Sequence, residues 1–396
     1  MIMKELFVSN KRYRLFLIGV VVSNAGDYID DIAFAQLVYS ITKSTLFSSY
    51  VFAVKIVFSF LNILSATLVD KWNKKKLLTL SCLLQGCLIV CLIFSYKIGI
   101  LSTPLLLTFV TLQAIFSSFA KPAQTAILPL IVETEDLVEA RAQISIADQF
   151  IQIVSYAGAG AMIAAIGISG ALMVDVISFG VIALLFSFIK IREKITPIKS
   201  FGEFSRNVTE GFVFVKSQKV IIIVLLLTFF GNFLVTPIDS LMPAYTSQVK
   251  YPETYFSFYM TVMAVGGICG GFFVTKIQKV ITKGVLFSMG YFIGAVSMIL
   301  LQFPEELLYF CSAYSMGVSI SIVSILNASI IQILTPKEMT ARVFSIFKCI
   351  SFTASPLGIL IAGMLGEIVL MRWIYGIYGV AMLALTLLSL KFCHIK

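Results

Sequence analysis

Charged residues are scarce in this sequence. Only 13% of its 396 residues are Asp, Glu, Lys or Arg, whereas 59% are apolar, and the mean hydropathy is +0.98. Soluble domains carry about 25% charged residues, so this composition excludes a soluble protein. A helix of about 20 apolar residues crosses a bilayer, and the chain contains about twelve runs of that length.

Histidine and the motifs of nucleotide and metal chemistry are also missing. The one histidine, His394, lies near the C-terminus, which excludes a histidine proton relay or a histidine metal site inside the membrane. There is no Walker motif, glycine-rich phosphate loop, Ser-His-Asp set or metal cluster, so we expect no cofactor and no enzyme activity. The seven cysteines form no metal-spaced pair, and we interpret them as reduced core residues.

The basic residues are concentrated in alternate loops between the apolar runs, that is, on one side of the membrane. The predicted helices are 13–40, 46–69, 77–96, 101–124, 142–165, 168–189, 219–243, 254–275, 283–301, 305–330, 340–365 and 369–391. With Met1 inside, the outer loops hold only Lys43, Lys97, Lys250 and Arg372 of the 30 Lys and Arg residues. Short loops rich in Lys and Arg stay in the cytoplasm. The sequence therefore predicts a multi-pass, monomeric protein of the cell (inner or plasma) membrane with both termini cytoplasmic. Its net charge of +10 reflects this topology, and we expect no nucleic-acid partner.

A polar stretch divides the chain near its middle. Residues 191–218 contain basic side chains and phenylalanines at nearly helical spacing, which favours an amphipathic helix in a cytoplasmic linker. The flanking segments, 1–190 and 219–396, contain six predicted helices each, and LVDKWNK at 68–74 aligns weakly with FVTKIQK at 273–279. Such a repeat is typical of two parallel halves. We therefore expect an all-α membrane protein with twelve transmembrane helices in two six-helix bundles.

A charged loop interrupts the apolar sequence between positions 61 and 78. It contains, in order, Asp70, Lys71, Lys74 and Lys75. The order small-x-Leu-x-Asp-Lys-x-x-Lys-Lys resembles the loop between helices 2 and 3 of the major facilitator superfamily of transporters. Asn73 stands at a usual glycine position and is expected to keep a left-handed turn. The alternative interpretation is a plain topology anchor.

Other stretches resemble the macrolide-efflux branch of the drug:proton antiporters in that superfamily. They are residues 118–123, 175–179, 335–338 and 356–358, together with Arg342. The resemblance implies alternating access and export of a small amphipathic substrate (an antibiotic, siderophore or natural product) in exchange for protons. It also implies that the Asp70 loop engages the start of helix 11, around Arg342, as a conformational latch. The alternatives are a lysophospholipid importer, or a non-transporting receptor or accessory subunit.

Three carboxylates lie inside the first predicted helix. Asp27, Asp30 and Asp31 are three or four residues apart, so at least two share a face. Ionisable groups inside a span are costly and are functional candidates. Lys55 lies at a depth similar to that of Asp31, so we expect it to pair with Asp30 or Asp31. The four residues form the candidate proton-coupling group, with Asp27 deepest and without an obvious partner. The alternative is structural pairing beside a wet vestibule.

Further polar residues inside the predicted helices are weaker candidates for a substrate cavity. They are Gln36, Gln113, Gln149, Gln152, Asn232, Asp239 and Asn327. Amides that bond between helices are the commoner case. We interpret Asp148 and Lys121 as a structural pair, Asp175 as a packing residue, and the glycine pairs at 266–267 and 270–271 as sites of close helix contact.

Overall fold

The computed structural model describes residues 7–8, 10–59, 65, 69, 72–133, 135–189, 212–278, 280–336 and 339–390. The regular structure in these residues is helical. The helices are α1 (Lys11–Thr42), α2 (Thr45–Ser59), α3 (Lys74–Lys97), α4 (Thr103–Ile131), α5 (Leu137–Phe188), α6 (Lys219–Val235), α7 (Pro237–Val249), α8 (Thr254–Ile277), α9 (Lys283–Leu300), α10 (Glu306–Leu334), α11 (Thr340–Gly366) and α12 (Met371–Ser389).

The predicted all-α membrane fold is confirmed. Within the described part of the chain, nine helical segments are long and apolar enough to cross a membrane, and Thr45–Phe58 is a shorter apolar helix. Two of the nine segments contain a break, at Gly167 in α5 and between α6 and α7. The count of twelve spans stays a prediction.

Backbone chemistry explains both breaks. Gly167 has a φ of 73°, a conformation that glycine adopts without a steric penalty, and it divides the 52 residues of α5. The predicted helices 142–165 and 168–189 are the parts of α5 on either side of it. Pro237 begins α7 directly after α6, because a proline lacks the N–H that would continue a helix. The predicted helix 219–243 is therefore divided in two.

The expectation of a left-handed Asn73 is wrong. Its φ of −63° and ψ of 105° are extended, and its side chain accepts a hydrogen bond from the N–H of Lys76 at 2.8 Å. Asn73 therefore caps the N-terminus of α3, a contribution of about 1 kcal/mol in typical cases. The left-handed conformation occurs at Lys43 and Lys250, the positive-φ residues other than glycine in the described ranges.

The chain divides into two compact units. The first comprises Met1–Thr42 and Val54–Ile198, and the second comprises Lys43–Ala53 and Lys199–Lys396. The first part of α2 therefore belongs to the second unit. The predicted division into two bundles and a linker stays a prediction, because residues 190–211 lie outside the described part.

In the first unit, α1 packs against both parts of α5. The hydroxyl of Tyr13 donates to the carbonyl oxygen of Ala140 at 3.1 Å. Further along α1, a Cβ atom at Gly26 would collide with the side chains of Asp175 and Ser178. Glycine at position 26 is therefore required for the observed distance between the two helices.

In the second unit, α8 and α10 approach each other at glycines. A Cβ atom at Gly317 would collide with the carbonyl oxygen of Met263, and one at Gly266 would collide with that of Tyr314. Small residues permit such close packing of membrane helices. A Cβ atom at Gly270 would also press against the backbone of α10. The interpretation as sites of close helix contact is confirmed for Gly266 and Gly270, whereas Gly267 and Gly271 face α10 at ordinary van der Waals distances.

Candidate functional site

Lys55 of α2 forms an ion pair with one of the three carboxylates of α1. Its Nζ atom lies 2.8 Å from Oδ1 of Asp31, so the structure pairs Lys55 with Asp31 rather than with Asp30. The two side chains are 39% and 47% exposed, which means that the pair borders open space rather than packed core. The same Nζ lies 5.8 Å from the centre of the Phe34 ring, within the range of a cation–π contact.

The open space is a cavity of about 260 Å³ inside the first unit, which we call the Phe34 cavity. Its charged lining residues are Asp27, Asp30, Asp31, Lys55 and Lys121, and its apolar wall includes Phe34, Leu88, Leu92 and Phe109. Apolar walls with a few convergent polar groups are typical of small-molecule sites.

A second cavity of about 360 Å³, which we call the Asp148 cavity, meets the first. Its lining includes Asn24, Tyr28, Gln124, Thr125 and Asp148. The residues that line both cavities are Asp27, Asp31, Gln85, Ser117 and Lys121. Asp27 therefore lies where the two cavities join.

Asp148 accepts two hydrogen bonds from α1. The side-chain amide of Asn24 and the hydroxyl of Tyr28 donate to its Oδ1 atom at 2.6 and 2.9 Å. The interpretation of Asp148 and Lys121 as a pair is wrong, because the structure has no ion pair between these two residues. The physical reason is that α1 packs directly against α5, so its donors reach Asp148.

Asp27 and Asp30 differ from Asp31. Within the described ranges, neither accepts a hydrogen bond or forms an ion pair. Lys121 lines both cavities together with Asp27 but forms no ion pair with it. An uncompensated charge is costly inside a bilayer, so Asp27 and Asp30 stay candidate functional residues.

The predicted cavity glutamines are not placed together. Gln113 lines the Phe34 cavity, with an Oε1 atom that is buried and has no hydrogen-bond partner among the described residues. Gln36 is buried in α1, Gln152 is half-buried, and Gln149 is exposed on α5. These three do not belong to the lining of either cavity.

The remaining cavity candidates belong to the second unit. Asn327 is buried, and its Oδ1 accepts a hydrogen bond from the hydroxyl of Thr228 at 3.2 Å. This contact between α6 and α10 is the ordinary interhelical use of an amide. Asn232 is half-buried in α6, and Asp239 is exposed in the first turn of α7.

Part of the proposed latch lies outside the described residues. This holds for Asp70 and Lys71, and for the side chain of Arg342, whose backbone belongs to α11. Next to them, the ring of Trp72 stacks on that of Phe119, with centroids 6.3 Å apart. The latch stays a prediction.

The two described lysines of the predicted latch have local roles. Lys74 is buried in the first turn of α3. Lys75 Nζ donates to the carbonyl oxygens of Ser187 and Ile189 at 2.6 and 3.0 Å. A lysine at such a position satisfies the free carbonyls at the C-terminus of α5.

One carboxylate with a defined role, Glu367, was missed by the sequence analysis. It follows α11, and its Oε1 accepts hydrogen bonds from the N–H of Leu46 at 3.0 Å and the hydroxyl of Ser44 at 2.6 Å. These donors, at the N-terminus of α2, hold the pKa of Glu367 below its usual range. The partners are 323 residues apart in the sequence, so no local pattern predicts the contact.

Apolar helices around an internal cavity with charged lining residues are typical of membrane transporters. The family model of the transmembrane secretion effectors matches residues 7–395. The chain therefore belongs to this family of the major facilitator superfamily, as its motifs predicted, and it is a multi-pass transporter of small molecules rather than an enzyme.

The individual relatives share little sequence identity with this chain. Macrolide efflux protein A of Streptococcus pyogenes is 23% identical over 311 residues, which cover 76% of this chain and 75% of that protein. The MFS-type transporter YvqJ of Bacillus subtilis is 22% identical over 61% of this chain, and the match spans only 59% of that relative. The crystal structure of the nucleoside transporter NupG superposes with a TM-score of 0.78 at 11% identity, covering 98% of this chain and 100% of the other. That likeness establishes the fold.

Proposed function

We propose that this protein is a secondary active transporter that exports an amphipathic small molecule in exchange for protons. The secretion-effector family and the similarity to a macrolide efflux protein support the direction of transport. Antibiotics, siderophores and secreted natural products are the candidate substrates. The transporter works by alternating access, in which its two halves open in turn to either side of the membrane.

The main support for this proposal is the position of Asp27 and its lack of a direct partner among the described residues. It lies in the middle of α1, borders both cavities, and has no hydrogen-bond or ion-pair partner among the described residues. Asp31 already has Lys55 as its partner. Asp27 is therefore the carboxylate whose charge a proton offsets during the transport cycle, whereas Asp31 and Lys55 hold the site together.

The lining of the Phe34 cavity supports an amphipathic substrate. Phe34, Leu92 and Phe109 provide apolar contact area, and Asp30 and Gln113 provide polar groups. Binding of an apolar body by such walls is favourable because it removes apolar surface from water. Asp30, which has no partner in the described ranges, is the group that orients a polar or cationic end of the substrate.

The proposal includes the location, the orientation and the oligomeric state of the protein. Its basic residues favour a cell membrane location with both termini in the cytoplasm. It acts as a monomer, because one chain supplies both halves of the fold. Protons enter along the electrochemical gradient as the substrate leaves.

Two measurements test the proposal. A susceptibility panel that includes macrolides is run on a strain with and without the protein, and we expect increased resistance to at least one amphipathic compound. Uptake of that compound into everted membrane vesicles should then collapse when an uncoupler is added. Uptake that persists without a proton gradient contradicts proton antiport, and resistance to no compound contradicts export.

A further inference from the structure

The two cavities of the first unit reach different parts of α1. The α1 residues that line the Asp148 cavity lie between Ser23 and Asp31. Those that line the Phe34 cavity lie between Asp27 and Phe34. Each residue of a helix advances it by about 1.5 Å, so Ser23 and Phe34 lie roughly 16 Å apart along the axis. The cavities therefore follow each other along α1, with Asp27 in the part that they share.

The proposed orientation of the chain assigns each cavity to one side of the membrane. With the N-terminus in the cytoplasm, Ser23 is nearer the cytoplasm than Phe34 is. The Asp148 cavity is then the cytoplasmic one, and the Phe34 cavity lies on the outer side of Asp27.

The lining of the two cavities differs in polarity. Phenylalanines and leucines dominate the wall of the Phe34 cavity, whereas the Asp148 cavity contains the hydroxyls and amides of Ser23, Asn24, Gln124 and Thr125. A polar cavity of about 360 Å³ has room for several water molecules, each with a share of about 30 Å³. Water with such partners conducts protons but offers little contact to an apolar substrate.

Asp148 is the carboxylate that α5 contributes to this cavity, at the level of Asn24 and Tyr28 on α1. Its Oδ1 atom is occupied by the donors of Asn24 and Tyr28. Hydrogen bonds from N–H and O–H groups to a carboxylate are of the strong, charge-assisted kind. Its Oδ2 atom accepts no hydrogen bond from the described residues. Asp148 can therefore receive a proton at Oδ2 without losing its contacts to α1.

We propose that Asp148 is the cytoplasmic proton acceptor of this transporter, and that the Asp148 cavity is a proton route separate from the route of the substrate. The inference rests on the proposed function, in which Asp27 carries the proton. In the transfer step, the O–H bond of the Asp27 carboxylic acid breaks, and the proton passes through water to Oδ2 of the Asp148 carboxylate. Asp27 is left as a carboxylate and Asp148 as an acid, so the total charge of the pair is unchanged. Loss of the proton from Asp148 to the cytoplasm completes the step.

The other titratable groups around this route are compatible with it. Asp31 and Tyr28 line the Asp148 cavity from α1, Cys82 from α3 and Lys121 from α4. Asp175 of α5 contacts α1 at Gly26, next to Asp27, and accepts a hydrogen bond from the hydroxyl of Ser178. Asp31 is neutralised by Lys55. Lys121 lines both cavities, and its positive charge offsets the single negative charge that moves between the two acids.

A variant series separates this role from simple helix packing. In Asp148→Asn, the amide oxygen still accepts the hydrogen bonds from α1, but the side chain no longer takes a proton. Asp148→Glu restores a carboxylate. Asp136→Asn is the matched control, because Asp136 is the N-cap residue of the same helix and makes no capping hydrogen bond.

The readout is infrared difference spectroscopy of the full chain in everted vesicles after a pH jump on the cytoplasmic face. The carboxyl band that Asp27→Asn lacks reports the protonation of Asp27. We expect this band to respond on the order of 10²-fold more slowly in Asp148→Asn than in the wild type. The rate should recover in Asp148→Glu and stay unchanged in Asp136→Asn.

An unchanged rate in a folded Asp148→Asn variant overturns the inference and leaves the proposed function standing. Absence of an Asp27 band in the wild type overturns Asp27 as the proton carrier, and this inference with it. If Asp148→Asn does not fold, Gln124→Leu provides the second test, because it removes a polar group from the lining of the Asp148 cavity and keeps the Asp148 carboxylate and both of its donors. A wild-type rate in Gln124→Leu then contradicts the proposed route, whereas a slower rate supports it.

Discussion

Oδ1 of Asp31 and Nζ of Lys55 form an ion pair at 2.8 Å, at the edge of a cavity inside the first unit. The pair neutralises one of the three carboxylates of α1. Asp27 and Asp30 remain without a direct partner among the described residues. Under the proposed function, the paired Asp31 stabilises the fold, and Asp27 and Asp30 are the carboxylates that take part in transport.

Removal of one member of the pair should destabilise the protein. Loss of one partner of a fully buried pair costs about 3–5 kcal/mol, and we expect about 1–3 kcal/mol for Asp31→Asn because the pair is partly exposed. The measurement is thermal unfolding in detergent. A second substitution, Lys55→Met, should recover part of the loss, since it removes the ammonium group that the Asp31 carboxylate no longer neutralises. A double variant as unstable as Asp31→Asn contradicts this role.

The glycine contact between α8 and α10 allows a matched comparison. Gly317→Ala should cost about 1–3 kcal/mol, because the new methyl group meets the carbonyl oxygen of Met263. Gly267→Ala on the facing helix is the control, since its nearest neighbour, the carbonyl oxygen of Gly317, would be 3.8 Å away. Equal melting temperatures for the two variants would show that the helices separate easily.

The contact of Glu367 with the start of α2 predicts a pH dependence. The pKa of Glu367 is lowered by the N–H of Leu46 and the hydroxyl of Ser44, so the ionised form stabilises the folded chain. This contribution is complete above the unfolded pKa of about 4.3 and is lost as the pH falls through the lower folded value. Glu367→Gln should therefore melt below the wild type at neutral pH, by the equivalent of about 0.3–1 kcal/mol. In acid the two curves should converge, and a constant difference at every pH contradicts the ionic contact.

The orientation of the chain is tested by cysteine labelling with a membrane-impermeant reagent. Replacements of Lys43 and Lys250 should react from outside, because these residues lie in loops that the charge distribution assigns to the outer face. A replacement of Lys75 should react only from the cytoplasmic face. The reverse pattern would invert the topology and would place the Asp148 cavity on the outer side.

Local patterns in the sequence predict the helices well. The gap predicted between residues 165 and 168 coincides with Gly167, and the lysine-rich loops predict the orientation. The predicted helix 219–243, however, ran through Pro237, where the structure begins α7. Lys55 and the carboxylates of α1 lie at similar depths in the membrane, and this comparison limited the partner of Lys55 to Asp30 or Asp31. It did not choose between Asp30 and Asp31, because that choice depends on the rotation of α1 about its axis.

Contacts between distant residues were beyond the sequence analysis. Asp148 bonds to Asn24 and Tyr28, which are 124 and 120 residues away, so proximity to Lys121 at one membrane face suggested the wrong partner. The cap of α2 by Glu367 likewise depends on tertiary packing. Asn73 was expected to be left-handed because of its residue type, but its side chain has a stronger local use as an N-cap.

The most direct test of the account is uphill transport by Asp27→Asn, with the compound identified by the susceptibility panel, in everted vesicles energised by a proton gradient. One proton moving through 100 mV supplies about 2.3 kcal/mol, enough for roughly fifty-fold accumulation. We predict that the wild type concentrates the compound and that Asp27→Asn does not, although the variant still exchanges internal for external compound. Neutral Asn imitates the protonated acid, which is why exchange should survive. Accumulation against the gradient by Asp27→Asn would contradict the assignment of the coupling proton to Asp27.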